Sequence, residues 1–181
     1  MIIVVEPYNA KDYRHHLDQM FRQRALVFYD RLRWDVKVHG GLERDRYDDM
    51  SPTYVLDVNG DVVNGSLRLL PTTWPTFSEE LFPGEVMSHP SIWECSRLCV
   101  VDSSQQREVA TKLLLAVAEL SIQRGIETII ANVQKNVMYL VIRIGFDVEL
   151  LDYTDRFSER VYLCSARMNR ETIEKIKPSV E

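Results

Sequence analysis

The chain has 181 residues, of which 45% are hydrophobic and 27% are charged, proportions that are typical of soluble globular proteins. This length is typical of a single domain, predicted to span residues 1–181, and it is large enough to bury a core, which excludes disorder over most of the chain. The formal net charge of −5 argues against wholesale binding to nucleic acid or to an anionic membrane.

The first part of the chain is predicted to form a strand, a helix, an irregular loop and a hairpin. Residues 2–5 are a short apolar run typical of a strand, and residues 11–29 carry apolar side chains at helical spacing. Residues 30–52 have no clean period, and their paired glycines and Ser-Pro step indicate an ordered but irregular loop. Residues 53–58 and 62–70 flank an Asn-Gly-Asp turn, which predicts a β-hairpin.

The second part is predicted to alternate strands and helices after a proline-rich loop over residues 71–90. Its strands are predicted at residues 92–101, 128–133, 146–151 and 161–166, and its helices at 105–124, at 136–144 and from about 169. Gly125 and Gly145 end the first two of these helices. The order of elements predicts an α+β fold with a mixed, mostly antiparallel sheet flanked by helices.

Cysteine content and hydropathy bear on the cellular compartment and on whether a metal site or a membrane span is expected. Cys95, Cys99 and Cys164 form no CxxC pair and the histidines do not cluster, so a structural zinc site is not expected. An odd, low cysteine count is typical of a reducing cytoplasm. No segment approaches the ~18 consecutive apolar residues of a membrane span, so we expect a soluble, cytoplasmic protein.

Between residues 24 and 48, polar and aromatic residues recur without helical or strand periodicity. Within this segment the residues are Arg24, Phe28, Trp34, Glu43, Asp45, Tyr47 and Asp48. Farther along the chain they are followed by Arg68, Trp93, Glu94, Cys95, Ser96 and Arg97. Arginine binds a carboxylate, aspartate binds an amine, and an aromatic face binds a cation. The set therefore predicts a site for a small zwitterion.

The spacing of these residues resembles that of the acyl-homoserine lactone synthase (autoinducer synthase) family. The matching pattern is Arg24-x-x-x-Phe28, Arg31-x-x-Trp34-x-Val36, Glu43-x-Asp45-x-Tyr47-Asp48, Gly65-x-x-Arg68-Leu69-Leu70-Pro71-Thr72-Thr73, Phe82 and Trp93-Glu94-x-Ser96-Arg97. Two positions depart from it: Asn64 replaces a usual apolar strand residue, and Trp74 replaces a usual small one.

The resemblance implies an acetyltransferase-like (GNAT-like) fold and a quorum-sensing signal as the product. An acyl group would pass from acyl carrier protein, or from acyl-CoA, to the amine of S-adenosylmethionine, and lactone closure would release methylthioadenosine. Neither a metal nor a redox cofactor is implied. In this organisation residues 1–52 supply a strand, a helix and a substrate-covering loop, and residues 53–181 supply the sheet-and-helix core.

The strand at residues 92–101 holds the catalytic candidates. Glu94 is the candidate base, acting directly or through water on the substrate amine, with a structural ion pair as the alternative. Ser96 shares its strand face and either orients the water or thioester or simply packs. Arg97 is three residues from Glu94, so we favour a β-bulge that brings both into one cleft over a regular strand in which they face opposite sides.

The substrate-binding candidates are Arg24, Phe28, Trp34, Asp45, Asp48, Arg68 and Phe82. We expect three arginines, at positions 24, 68 and 97, to balance Asp45, Asp48 and Glu94. The alternative for these charges is a buried ion-pair network that fixes the N-terminal loop. Phe28 and Trp34 either wrap the sulfonium or adenine or anchor the loop to the core, and we favour the first. Phe82 either lines the pocket or fills the core.

The turn at residues 102–107 bears on the acyl donor. Coenzyme-A-dependent acetyltransferases carry a glycine-rich turn here that binds pyrophosphate, but this chain has no glycine between Gly84 and Gly125. This absence favours a protein-borne thioester. Candidates for docking the acidic carrier are Arg107, Lys112, Arg124, Lys135 and Arg143, and the alternative for them is a solvated helix face. Candidates for the acyl pocket are Leu98, Val100, Met138, Leu140, Val141 and Phe146.

Two other functions remain open from the sequence. One is an acyl-CoA-dependent N-acyltransferase of the same fold, which would not need S-adenosylmethionine. The other is a non-catalytic module that binds S-adenosylmethionine or the carrier protein, and the charged group at Glu94, Ser96 and Arg97 argues against it.

Overall fold

The computed structural model describes residues 1–177, so residues 178–181 of the predicted domain lie outside the described residues. Its strands are β1 (Ile2–Val5), β2 (Val38–His39), β3 (Leu42–Glu43), β4 (Thr53–Asn59), β5 (Val62–Pro71), β6 (Ile92–Val100), β7 (Thr128–Gln134), β8 (Val148–Thr154) and β9 (Val161–Arg167). Its α-helices are α1 (Arg14–Arg24), α2 (Phe77–Leu81), α3 (Gln106–Arg124), α4 (Lys135–Ile144) and α5 (Arg170–Ile176). A π-helical turn (Ala25–Arg31) continues α1, and 3-10 turns lie at Arg46–Met50 and Ser103–Gln105.

The contacts divide the chain into two compact units. Unit 1 comprises residues 1–69 and 97–113, and unit 2 comprises residues 70–96 and those from 114 onward. Strand order is β1-β4-β5-β6 in unit 1 and β6-β7-β9-β8 in unit 2, because β6 contributes residues to both units. The β6–β7 pair is parallel, and the pairs β1–β4, β4–β5, β7–β9 and β8–β9 are antiparallel. The predicted α+β class with a mostly antiparallel sheet is confirmed.

The core of unit 1 forms where α1 packs on the first strands. Met20 and Phe21 are buried with Tyr54 and Leu56 of β4. Arg24 lies four residues after Met20 and three after Phe21, and residues at this spacing share one helix face. The helix therefore carries a guanidinium into the interior together with its apolar side chains.

The core of unit 2 forms between α2 and the strands β7 and β9. Leu81 and Phe82 pack with Ile130 and Leu163. The Thr76 hydroxyl accepts a hydrogen bond from the Glu79 backbone N–H at 3.2 Å and caps α2 at its N-terminus. Because α2 packs through its apolar end, its first turn is fixed close to β6 of the same unit.

Most predicted elements are confirmed to within a few residues at their ends. Three local features differ from the prediction. The predicted helix at 11–29 ends in a π-helical turn, the loop at 30–52 contains the β2–β3 hairpin and a 3-10 turn, and the loop at 71–90 contains α2. The division of the chain at residues 52 and 53 stays a prediction. In residues 1–177 no helix combines the length and hydrophobicity needed to cross a bilayer.

The position before Gly65, where the chain departs from the family pattern, has a polar partner. The Asn64 amide donates to the Asp57 carboxylate at 3.2 Å, and Asp57 is only 2% exposed. A buried carboxylate needs such donors because it has left water. Asn64 therefore compensates a buried acid on the neighbouring strand. Trp74, the second departure, is 42% exposed.

Gly65 allows β5 and α3 to approach closely. A Cβ at this position would lie 2.6 Å from Cγ1 of Val109 and 2.9 Å from the carbonyl oxygen of Cys99. Both distances are shorter than van der Waals contact, so a side chain here would push the helix away from the strand. The glycine is needed for this packing and not for its backbone angles.

We predict that Gly65→Ala lowers the free energy of unfolding by about 1–3 kcal/mol, because the added methyl overpacks the interface with Val109. Urea denaturation followed by circular dichroism measures this loss. Ser66→Ala is the control: the buried Ser66 hydroxyl has no hydrogen-bond partner within residues 1–177, so its removal should leave stability unchanged or raise it. Equal stabilities for the two variants would contradict this account of the packing.

Candidate active site

Arg24 lies at the end of α1 and is 0% exposed. Its Nε donates to Glu43 Oε2 at 2.5 Å, and its Nη1 and Nη2 donate to the two oxygens of Asp48 at 2.9 Å each. This bidentate geometry is the strongest arrangement between arginine and a carboxylate. The guanidinium is therefore fully engaged by two acids of the same unit.

Asp48 receives five hydrogen bonds. Besides the two from Arg24, they come from Arg68 Nη1 at 2.9 Å, the Tyr54 hydroxyl at 2.8 Å and the Asp45 backbone N–H at 2.9 Å. Burial alone would raise the pKa of Asp48, but the hydrogen bonds and charge of Arg24, with the charge of Arg68, hold it well below the usual aspartate range. Burial and the same carboxylate raise the pKa of Tyr54, which stays a donor.

The outer edge of this network is formed by Asp45 and Arg97, whose side chains are 20% and 16% exposed. Arg68 donates to Asp45 from inside, at 2.5 Å and 3.1 Å, while Arg97 contacts Asp45 at 2.8 Å. Asp45 is also the N-cap of the 3-10 turn, accepting from the backbone N–H groups of Tyr47 and Asp48. Asp45 and Arg97 are the members that retain access to solvent.

The third carboxylate of the network is Glu43, so the expectation that Glu94 balances the arginines was wrong. Glu43 is 0% exposed and accepts from Arg24 through Oε2 and from Arg97 through Oε1 at 3.1 Å and 3.3 Å. The balance is three against three, with Glu43 in place of Glu94. Glu43 sits in β3, and the β2–β3 hairpin carries it to the arginines.

Burial bears on the two interpretations of Arg24, Asp48 and Arg68. All three side chains are at most 1% exposed and are paired within one network, which supports the ion-pair interpretation. Which members of the network contact the substrate stays a prediction.

The two aromatic candidates stack. Phe28 and Trp34 have ring centroids 5.0 Å apart with an interplanar angle of 3°, and the Arg97 guanidinium lies 5.7 Å from the Phe28 centroid. Phe28 is 1% exposed, whereas Trp34 is 37% exposed. Phe28 therefore anchors the segment and Trp34 presents the accessible face.

Arg97 has an irregular backbone conformation within β6, and the β-bulge stays a prediction. Its φ is 57°, in the left-handed region, and the parallel pairing of β6 with β7 runs from Ile92 to Glu94. A non-glycine residue in this conformation costs about 1–2 kcal/mol. The ion pairs of Arg97 with Glu43 and Asp45 offset that cost.

Glu94 belongs to unit 2 and has a different environment. It is 0% exposed, and its Oε2 accepts from the Ser78 backbone N–H at 2.7 Å. The Ser78 hydroxyl in turn accepts from the Asn132 amide at 2.8 Å. The other carboxylate oxygen, Oε1, is buried and has no hydrogen-bond partner within the described residues. Ser96 is partly buried on the same strand.

The remaining candidates have mixed outcomes. Phe82 is 4% exposed within the unit 2 core, which supports the core interpretation. Among the docking candidates, Lys112 pairs with Glu108 one helical turn away, and Lys135 lies over the Tyr139 ring. The acyl-pocket candidates Val100 and Phe146 are buried, and Leu98, Met138, Leu140 and Val141 are partly buried.

Three residues that contribute to these arrangements have no site signal in the sequence. They are Tyr54, Ser78 and Asn132. Glu43 belongs to the predicted zwitterion site, but the sequence does not indicate its individual role. Arg31, also in the motif, donates to the backbone carbonyls of Val100 and Val101 at 2.9 Å and 2.8 Å and fixes the end of β6.

The turn after β6 places a carboxylate at the start of α3. Asp102 accepts from the Ser104 backbone N–H at 2.8 Å and from its hydroxyl at 2.7 Å. These hydrogen bonds lower the pKa of Asp102, so it is an anion at neutral pH. An anion here occupies the position at which a helix N-terminus would bind phosphate. In residues 1–177 no group of three or more His, Cys, Asp or Glu side chains is arranged to hold a metal ion.

We predict that Glu43→Gln lowers the free energy of unfolding by about 3 kcal/mol, because it leaves Arg24 and Arg97 short of a buried counter-charge. Urea denaturation at neutral pH measures the loss. Asp49→Asn is the matched control, since Asp49 is a 78% exposed acid paired with Arg44, and its effect should stay within about 0.5 kcal/mol. A Glu43→Gln variant as stable as this control would show that the network does not hold the segment.

Comparison with known proteins gives a consistent family. Residues 9–176 match the family model described as autoinducer synthase. An acyl-homoserine-lactone synthase of Rhizobium etli is 41% identical over 145 residues, which cover 74% of this chain and 68% of that protein.

The solved structures agree at the level of the whole fold. A CoA-dependent acyl-homoserine lactone synthase, solved with SAM and isopentyl-CoA, superposes with a TM-score of 0.92 at 28% identity, covering 99% of this chain and 89% of that one. An aminoglycoside 6'-N-acetyltransferase from Enterococcus faecium superposes with a TM-score of 0.60 at 12% identity, covering 93% and 97%, and shows the acetyltransferase-like fold alone.

Proposed function

The chain belongs to the autoinducer synthase family, and on that premise we propose that it is an acyl-homoserine-lactone synthase, an acyltransferase that makes a quorum-sensing signal. The acceptor is S-adenosylmethionine and the donor is an acyl thioester. The observation that carries the chemistry is the buried Oε1 of Glu94, which has no hydrogen-bond partner in the described part of the chain. A carboxylate oxygen held out of water with one acceptor position open is suited to take a proton from an amine.

The reaction consists of two displacements. In the first, the α-amine attacks the thioester carbonyl, the carbon–sulfur bond breaks, an amide bond forms and the donor thiol leaves. The proton of the amine passes to Glu94, directly or through water. In the second, the substrate carboxylate attacks the carbon that bears the sulfonium, closing the lactone. The bond from that carbon to sulfur breaks with its electron pair on sulfur, which releases neutral methylthioadenosine.

The network of unit 1 supports substrate binding from its outer edge. Asp45 and Arg97 present one negative and one positive charge with partial access to solvent, as a zwitterion requires. Trp34, stacked on Phe28, offers an aromatic face for a sulfonium or an adenine. The inner members, including Arg24 and Asp48, hold this edge in place and do not act as ligands.

We place the donor thioester on acyl carrier protein in preference to coenzyme A. Asp102 and its hydrogen bonds to Ser104 put a negative charge at the start of α3, which disfavours a pyrophosphate at that helix end. The matched synthase solved with isopentyl-CoA is CoA-dependent, so both donors belong in the test. The basic residues on α3 and α4 remain candidates for carrier docking, and the apolar residues of β6 and α4 remain candidates for the acyl pocket.

The cysteines are consistent with action in the cytoplasm. Cys95, Cys99 and Cys164 are free and buried. Burial raises the pKa of Cys95 and of Cys99 to about 12, and that of Cys164 to about 11, so all three stay protonated and unreactive at neutral pH. Reduced thiols are typical of a reducing compartment.

The proposed function predicts one product pair. Purified protein incubated with S-adenosylmethionine and a panel of acyl-carrier and acyl-CoA thioesters should yield an acyl-homoserine lactone and equimolar methylthioadenosine, measured by mass spectrometry. Glu94→Gln should lower kcat by about 10²–10⁴-fold, because the base is lost, with binding of S-adenosylmethionine retained in calorimetry. Glu149→Gln, a change at an exposed glutamate of unit 2, is the control and should be fully active.

Two results would overturn this proposal. Thioester cleavage without any lactone, independent of S-adenosylmethionine, would indicate an N-acyltransferase with another acceptor. Binding of S-adenosylmethionine without turnover of any donor would indicate a binding module.

The donor preference has its own test. Asp102→Asn should raise kcat/KM for acyl-CoA several-fold, because the carboxylate that opposes the pyrophosphate is removed, and should leave kcat/KM for the acyl-carrier thioester nearly unchanged. Steady-state rates with both donors carrying the same acyl chain give the comparison. Asp155→Asn, a change at an exposed aspartate of unit 2 that is paired with Arg160, is the control. An unchanged ratio of the two donors would contradict this role for Asp102.

A further inference from the structure

Glu94 is held by the backbone of α2, and no salt bridge to it is found among residues 1–177. The Ser78 backbone N–H donates to Glu94 Oε2 at 2.7 Å, and both residues are 0% exposed. One fixed N–H restricts rotation of the carboxylate without neutralising it, whereas a buried arginine would hold it permanently as an ion pair. The arrangement keeps Glu94 available for proton transfer.

Asn132 extends this contact to the neighbouring strand. Glu94 is registered opposite Ile130 in the parallel β6–β7 pair, and Asn132 lies two residues beyond it on the same face of β7. Its amide donates to the Ser78 hydroxyl at 2.8 Å. Ser78 is therefore fixed through its backbone to Glu94 and through its side chain to Asn132.

Glu94, Ser78 and Asn132 form a hydrogen-bonded trio, and its two atoms without a partner in the described residues are both oxygens. Glu94 Oε1 and Asn132 Oδ1 are both buried, and neither has a hydrogen-bond partner within residues 1–177. Leaving a buried acceptor unsatisfied costs about 1–3 kcal/mol, so two in one trio point to a ligand that completes them. Both atoms are oxygens, and the fitting ligand is one that donates N–H groups, as an amine does.

We propose that Ser78 and Asn132 are positioning residues for Glu94, fixing its carboxylate so that Oε1 is the open acceptor for the substrate amine. This proposal rests on the proposed function and adds two residues to it. Ser78 sets the direction of the carboxylate, and Asn132 sets the position of Ser78 and offers the second acceptor. A purely structural role would instead have Asn132 stabilise the contact between α2 and β7 without any effect on proton transfer.

The test uses a charge placed at the far end of the trio. Asn132→Asp adds a carboxylate one side chain away from Glu94, and a nearby negative charge disfavours ionisation of the base. The acidic limb of the kcat–pH profile should therefore move upward by on the order of one pH unit, with KM for S-adenosylmethionine unchanged. Asn136→Asp is the matched control: it adds the same charge four residues later at an exposed position, and its profile should match that of the wild type.

Ser78→Ala gives a second test that does not depend on the charge introduced by Asn132→Asp. It removes the hydroxyl that Asn132 binds but keeps the N–H to Glu94, so kcat per folded molecule should fall about tenfold while KM for S-adenosylmethionine stays near that of the wild type. The thermal midpoint should fall by a few degrees, because the Asn132 amide loses its partner. If Asn132→Asp does not fold, this variant decides the question.

The outcomes separate the two proposals. A wild-type protein that makes no lactone refutes the proposed function itself. An active wild type whose Asn132→Asp profile matches that of Asn136→Asp refutes the positioning role. A Ser78→Ala variant that loses stability and activity together, with kcat per folded molecule unchanged, refutes it as well.

Discussion

The buried ion-pair network around Asp48 is the constraint on which the N-terminal part of the molecule depends. Burying a carboxylate is costly unless its oxygens are satisfied, and Asp48 is satisfied by five donors drawn from α1, β4, β5 and the 3-10 turn. Each of these elements must therefore be in place for the charge to be tolerated. Glu43 and Asp45 extend the same network to Arg97, whose left-handed backbone it stabilises.

Hydrogen bonding distinguishes the charged residues of the ion-pair network from Glu94, the proposed base. Arg24 and Asp48 are hydrogen-bonded to each other through every nitrogen and oxygen that faces the pair, or to neighbouring acids and donors, whereas one buried oxygen of Glu94 has no partner within residues 1–177. An enzyme that deprotonates an amine needs a base that is not already neutralised. In this chain the ion-pair network lies in unit 1 and the proposed base in unit 2.

Sequence patterns predicted the fold better than they predicted the partners within the site. The Asn-Gly-Asp turn between two largely apolar runs specifies β4 and β5, and the apolar stripe of α3 with its terminal glycine specifies that helix. Spacing along the chain does not encode which carboxylate meets which arginine, so Glu94 was paired with arginines that Glu43 in fact contacts. In a sequence, serine and asparagine are usually interpreted as turn or cap residues. Nothing in the sequence therefore indicated that Ser78, in the short helix α2, and Asn132, in strand β7, contribute to the site.

The most direct test of this account is a crystal structure with S-adenosylmethionine bound. We expect Glu94 Oε1 to lie about 3 Å from the substrate amine itself, or from one water that bridges to it. Arg24 and Asp48 should keep their mutual hydrogen bonds and contact no atom of the ligand. An amine bound to Asp48, or located away from Glu94 with Oε1 still unpaired, would contradict the division between fixed network and available base.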